Sequence, residues 1–260
     1  HERVVELLIR HGAEVNLQDS IGGTALMIAA LFNHPSVVRR LLRAGADTAS
    51  RTVDGSTALQ LAKEEGHAEC VEAFRQHVKE SALDQMSTAP GTPPSPFAEG
   101  GGDVPASIQR AAEDGQVGAV LSWFDGGGRV DETFEYTFLD GYRASGMTLL
   151  MIAMANGHAE LAEALLRRGA DVSLQNSNSS NALSIAAASG REKMVELALQ
   201  RGAEINQKYS DGSTALMAAA YEGHERVVDT LIRHGAEINL QNNNGDTALM
   251  FAALGNHPAV

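Results

Sequence analysis

A single cysteine, Cys70, stands in the 260 residues. That excludes an internal disulfide and fits a reducing compartment, so cytosol or nucleus is the expected location. Basic residues are also scarce. Twenty Lys and Arg face 33 Asp and Glu, giving a net charge of −13. A nucleic-acid partner demands clustered Lys and Arg, so that class of partner is not expected. No window approaches the run of about 18 apolar residues that spans a membrane. No secretory signal is read, although a chain that starts at His1 and not at Met weakens that inference. What remains is a composition with 43% hydrophobic residues, ordinary for one or two soluble globular domains.

Repetition is what the chain has in plenty. Residues 1–37 and 224–260 share 27 of 37 positions. A Thr-Ala-Leu triplet or a variant recurs at Thr24 and Thr57, then at Thr148, Asn181, Thr214 and Thr247, spaced by 33 residues within each group. After each triplet come small apolar residues, a glycine or its substitute, a second apolar stretch and, in most copies, Gly-Ala. The repeat from Tyr209 shows the pattern whole: YSDGSTALMAAAYEGHERVVDTLIRHGAEIN. Leu216, Ala219 and Ala220 fall at i, i+3, i+4, as do Val228, Leu231 and Ile232 in their own segment, which predicts two short helices with one apolar face each. Gly223 and Gly235 sit where a left-handed residue closes a helix. Gly212 marks a turn into Thr214, a candidate N-cap. Such a helix pair buries its apolar face only by stacking on its neighbours, so the expected product is a solenoid.

This pattern resembles the ankyrin-repeat family, whose 33-residue unit has a β-turn, two helices and a Thr-Pro-Leu-His core motif. The resemblance covers roughly 235 of the 260 residues. It implies an all-α fold of stacked helix pairs with turn or hairpin loops. Where the family favours Pro and His, this chain has Ala25–Met27, Ala58–Gln60, Ala182–Ser184, Ala215–Met217 and Ala248–Met250. The contact between repeats that the family's histidine implies is therefore not expected here.

Two breaks in the period organise the chain. In the repeat from Thr52 to Glu80, Val78 takes the glycine slot, so the second helix should run on. It carries Glu69, Glu72, Arg75, Gln76, Lys79 and Glu80 for solvent, as a terminal cap would. Residues 1–80 thus read as the C-terminal part of one array. Residues 81–103 read as a flexible Pro/Gly/Ser linker, in which Thr92-Pro93 and Ser95-Pro96 resemble proline-directed phosphorylation sites. Residues 104–260 read as a second array: an N-terminal cap at 104–130, a long aromatic hairpin at 131–146, repeats from Arg143, Asn176 and Tyr209, and a truncated one from Asn242. Adjacent repeats, 181–213 and 214–246, share only 13 of 33 residues, so a multi-repeat block is what was duplicated. With the triplet Thr counted as position 6, His1 falls at position 16 and Val260 at position 19. The expectation is a fragment whose parent continues past Val260 with something close to Val38–Ala46.

Chemistry is hard to find. Six histidines, His1, His34, His67, His158, His224 and His257, share position 16, and equivalent positions in stacked helices lie roughly 10 Å apart. One zinc needs ligand nitrogens about 2 Å away, so the histidines read as corner contacts and no metal site is expected. His11 and His234 end the second helices, where a cation suits the dipole. Cys70 stands in a Val slot and reads as a small buried hydrophobe. Gly126–Gly128 follows a helix and lacks the Lys-Ser/Thr of a phosphate loop. No Ser/His/Asp arrangement stands out, and nothing calls for a cofactor, so no catalysis is expected in this chain.

The resemblance implies protein partners, held on hairpin tips and on the concave first-helix face. Positions 13 and 14 are the candidates: Leu31 and Phe32, Ala155 and Asn156, Ala188 and Ser189, Tyr221 and Glu222, Leu254 and Gly255. Of these Phe32, Tyr221 and Leu254 are apolar anchors or packing against the next hairpin, two readings that stay open. The stretch 131–146 inserts nine residues and alternates Phe134, Tyr136 and Phe138 with polar residues, a strand-like period. With Tyr142 these are four further candidates. They form either a projecting sticky finger or a hairpin folded back over the capping helix, with the second preferred. Trp123 and Phe124 fill Leu-Leu slots and read as core, and the Asn-rich turns read mainly as turn formers. The function expected is a monomeric protein-interaction scaffold or adaptor. The alternatives are the targeting region of a larger enzyme, such as a ubiquitin ligase or kinase, and the cytoplasmic arm of a channel.

Overall fold

A computed structural model of the chain describes residues 1–80, 104–137 and 143–255. The expected linker with its two Ser/Thr-Pro pairs, the finger residues Phe138 and Tyr142, and the last five positions lie outside the described residues.

The six triplets do what their chemistry requires. Thr24, Thr57, Thr148, Asn181, Thr214 and Thr247 each N-cap a short first helix, the side chain accepting from the amide three residues on. Thr57 with Gln60 and Asn181 with Ser184 close full capping boxes. Those caps open α2 (Ala25–Leu31), α4 (Ala58–Glu64), α8 (Leu149–Asn156), α10 (Ala182–Ala188), α12 (Ala215–Tyr221) and α14 (Ala248–Leu254). Their apolar partners are the second helices α1 (Glu2–Arg10), α3 (Pro35–Arg43), α5 (Ala68–Glu80), α9 (Ala159–Arg167), α11 (Glu192–Gln200) and α13 (Glu225–Arg233). The first described helix pair after position 103 is α6 (Ala106–Glu113) with α7 (Val117–Asp125). The chain is an all-α repeat solenoid with a single two-stranded hairpin among the described residues, β1 (Phe134–Thr137) antiparallel to β2 (Arg143–Met147).

Position 15, between the two helices, takes a positive φ. Glycine fills it in most copies, as at Gly223 (φ 75°), but Asn33 adopts the same conformation at φ 56°. Position 4 in the turn is likewise glycine except at Ser179, φ 61°. Asn tolerates this region through local hydrogen bonding, whereas Ser carries a strain the turn must hold. As expected, α5 lacks a glycine stop and runs for 13 residues where its counterparts have 9. Phe124 is core, but Trp123 is only half-buried, lying against Gly128, where a Cβ would collide with the indole.

The described residues divide into two compact units. One unit contains 104–137 and 143–210; the other contains 1–80 together with 211–255. In the first, α6, α8 and α10 stack in order, backed by α7, α9 and α11. In the second, the first helices stack as α12, α14, α2, α4, and α1 packs on α14, α13 and α3. The N-terminal segment therefore continues the stack after α14. Its first helix, α1, stands where the second helix of the α14 repeat belongs, with Val4, Val5 and Leu8 buried.

Candidate partner-binding surface

Each repeat presents a turn before its first helix, and the turns are stitched together through backbone. The amide at position 2 donates to the carbonyl at position 3 of the preceding turn: Asn243 to Asp211 at 2.9 Å, Ser20 to Asn244 at 2.5 Å, Val53 to Ile21 at 2.8 Å. In the other unit Ser177 donates to Ser145 at 2.8 Å and Ser210 to Asn178 at 3.3 Å. Where position 1 is Asp or Asn, it fixes the turn from inside. Asp19 Oδ1 accepts from Ile21 and Gly23 at 2.9 and 2.7 Å, and Asn242 Oδ1 from Asn244 and Asp246 at 3.0 and 2.8 Å. Asn176 does the same for Asn178 and Ser180, 3.0 Å each. Asn176 and Asn242 are buried. These asparagines hold their turns, as the sequence suggested.

Because the backbone is occupied by the ladder, what the tips offer a partner is side chains. Among the described residues the large hydrophobics that stand exposed are Val53 at 72%, Ile21 at 59% and Tyr221 at 41%. Two of the three are tips of neighbouring repeats in the unit of 1–80 and 211–255. Their exposure makes them available to anything that meets this surface. Neither Ile21 nor Val53 was a sequence candidate. The signal was present in the turns SIGG and TVDG, which place an apolar residue where SDGS and NNNG are polar.

The first-helix face of the same unit supplies the rest. Tyr221 meets Phe251 of the next first helix edge to face, centroids 6.2 Å apart, so it combines packing and exposure. Leu31, Phe32 and Leu254 are half-buried, and Glu222 is exposed. In the other unit the corresponding positions are smaller or polar: Ala155 half-buried, Asn156 exposed and bonded to the Ile152 carbonyl at 3.0 Å, Ala188 exposed. The apolar character at this face belongs to the unit that contains α12, α14 and α2.

The aromatic hairpin is different from a sticky finger in its described part. Phe134 is 3% exposed and pairs with Met147 across the two strands, so it is core and not a contact residue, a correction to its candidacy. Tyr136 is half-buried. Burial, with a hydrogen bond to Glu113 of α6, pushes its phenol up to about 12. Tyr136 thus reaches the capping helix α6, as the fold-back reading expects. The alternation 134/136/138 identifies a strand but does not say which face is inward.

Among the described residues no group of three or more His, Cys, Asp or Glu gathers in a way that would hold a metal. The position-16 side chains instead reach back to the preceding first helix: His67 to the Ala30 carbonyl at 3.0 Å, His158 to Glu113 at 2.5 Å, and Arg191, in the same position, to Ala155 at 3.0 Å. Since a carbonyl only accepts, each ring nitrogen here is the N–H. Contact between repeats is thus carried by a histidine outside the core motif. Cys70 is fully buried and its thiol is raised to about 11 by desolvation. No helix among the described residues is long and apolar enough to cross a membrane.

The comparisons with known proteins agree with this architecture. A family model described as ankyrin repeats matches in three copies, over residues 1–84, 108–209 and 198–260. No curated protein matches the chain.

Proposed function

Because the chain belongs to the ankyrin-repeat family, whose domains are generally protein-interaction modules and typically non-catalytic, we propose that it is a scaffold or adaptor that holds a partner protein on the unit of 1–80 and 211–255. Tyr221, Ile21 and Val53 are the anchors, with Phe32, Leu31 and Leu254 beside them. The observation that carries this reading is that the exposed large hydrophobics of the described residues sit on the turn tips and first-helix face of that one unit. A rigid stack presents them preorganised, so binding costs little ordering entropy. Glu222 and the chain's net charge of −13 favour a partner with basic groups around an apolar centre. We place this activity in a reducing compartment, cytosol or nucleus, where the free buried Cys70 is stable, and expect the chain to act as a monomer.

The test is affinity capture from a eukaryotic lysate with the 260-residue chain, beside a variant carrying Ile21→Ser, Val53→Ser and Tyr221→Ser. Proteins retained by the first and lost by the second, at unchanged helical circular dichroism, support the reading. The same proteins retained equally by both overturn it.

A further inference from the structure

The second helices carry a charge pair on their exposed side. In α1, α9 and α13 position 21 is an acid and position 25 an arginine, and the two meet one turn apart: Glu6 with Arg10 at 3.3 Å, Glu163 with Arg167 at 3.0 Å and Asp229 with Arg233 at 2.7 Å. An acid four residues before a base is the favourable order on a helix. Position 21 is acidic in α5 and α11 as well, at Glu72 and Glu196. In α3 it is Arg39, and position 25 is Arg43. This helix therefore sets two like charges one turn apart where its counterparts set a pair, which disfavours the helix. The dipole of α3 accounts for a cation in its last turn, and so for Arg43, but not for Arg39 one turn earlier.

Both arginines border a groove between α3 and α5, which Leu42, Ala73, Gln76 and His77 complete. Leu42 and Ala73 are buried, Arg39 and His77 half-buried, and Arg43 and Gln76 exposed. No carboxylate lines the groove. Among the described residues neither Arg39 nor Arg43 enters an ion pair, although the neighbouring charges are matched. Arg40 turns to Glu2 and Glu6 of α1 at 2.8 and 3.0 Å, and Glu72 holds Arg75 at 3.4 Å. Glu69, one turn before Ala73 on α5, is exposed and stands outside the lining. In a chain of net charge −13, two unpaired guanidinium groups and an imidazole thus share one open space.

We propose that the groove of Arg39, Arg43 and His77 binds a phosphate monoester carried on a side chain of a partner protein. Guanidinium forks match phosphate oxygens, with charge-assisted hydrogen bonds from each arginine. A phosphorylated serine or threonine carries about −1.5 to −2 charges at neutral pH, which two arginines match better than they match a single carboxylate. The bound anion also removes the repulsion between positions 21 and 25, so it takes the part that Glu6, Glu163 and Asp229 play in their own helices. The groove holds about 240 Å³ and is open to solvent, which is small for a whole small-molecule ligand and leaves an exit for the chain that bears the phosphate. It lies on second helices, apart from the turn tips and Tyr221, so it stands or falls independently of docking there.

The experiment follows the side-chain N–H resonances of Arg39 and Arg43 and the ring of His77 in the full chain, at constant ionic strength and about pH 7.5, where the monoester is mostly a dianion. The probes are inorganic phosphate, a short Gly-Ser peptide with one phosphoserine, and the same peptide without the phosphate. The expected result is a saturable shift of all three residues with the first two probes and none with the third. Arg43→Gln should weaken the response about tenfold or more. Arg39→Glu rebuilds the pair found in α1, α9 and α13, so this variant should keep its helical circular dichroism and melting while the response to both phosphate probes disappears. A phosphopeptide that produces no saturable shift overturns the proposal, as does an equal response in Arg39→Glu. A response to inorganic phosphate alone also overturns it, because the occupant would then be a free anion. Equal shifts with the unphosphorylated peptide would show that the groove does not read phosphate.

Discussion

The amide of Val53 donates to the carbonyl of Ile21 at 2.8 Å, and the two side chains are among the most exposed hydrophobics described in the chain. Backbone and side chain thus have separate tasks at the tips. The ladder fixes the spacing of neighbouring turns, and the side chains are left for whatever comes to the surface. A mutation can address one task without the other.

Ile21→Ser and Val53→Ser should leave stability within about 0.5 kcal/mol of the parent, because exposed side chains away from packing contribute little. Gly22→Ala should behave oppositely. Its φ is +77°, and a Cβ there would lie 2.8 Å from the Arg51 carbonyl. A loss of roughly 1–3 kcal/mol is expected. Urea denaturation of the three variants compares them directly, and a tip serine as costly as Gly22→Ala would mean that the apolar tips are structural.

Phe134 and Tyr136 should also separate. Phe134→Ala empties a buried site beside Met147 and should cost about 3 kcal/mol or more. Tyr136→Phe keeps the ring and removes only the bond to Glu113, so a loss of about 1 kcal/mol is expected. Thermal melts of both variants check the order. Equal effects would show that the hairpin is anchored by its polar contact and not by its buried ring.

Much of this fold was legible because it is periodic. Thr214 and its counterparts cap where the triplet spacing places them, and α5 overruns where Val78 replaces glycine. Asn33 and Ser179 show that the period, not the residue type, identifies a left-handed position. The surface was less legible. Positions 13 and 14 are defined by the helix, but exposure at Ile21 and Val53 depends on neighbouring turns that a single repeat does not reveal. The seat of α1 was hidden for a related reason. A repeat pattern states that a helix of this kind follows α14, and His1–Arg10 satisfies it as well as a sequence after His257 would.

Cys70 should be nearly inert in the folded chain. With its pKa raised from 9.0 to about 11, the thiolate fraction at pH 8 is about a hundredfold below that of an ordinary thiol. Alkylation should therefore follow transient opening of the α5 region, accelerating with urea. Burial favours the protonated form, so between pH 9 and 11 the unfolded chain releases a proton that the folded chain keeps, and stability falls as pH rises through that window. Cys70→Ala should remove that slope between pH 9 and 10, below the range in which the raised Tyr136 phenol adds its own. Rapid labelling of the native protein at pH 8 would contradict the burial of this thiol.

At the acid end the signs reverse. Glu2 is held below its ordinary value of 4.5, first by a hydrogen bond from Arg40 of α3, and Asp47 below 3.8 by the Ser50 hydroxyl and the Ala49 amide. Both carboxylates are lowered by folding, so their contribution is complete above the unfolded values and disappears as pH falls through the folded ones. Asp47 is exposed and Glu2 only half-buried, which keeps the effect small. Glu2→Gln and Asp47→Asn should therefore be less stable than the parent near pH 6 and should converge with it as pH falls below the lowered folded values. Urea midpoints across that range provide the measurement. A gap that stays constant with pH would assign the loss to packing or neutral hydrogen bonding, because an ionic contribution cannot survive protonation of the carboxylate.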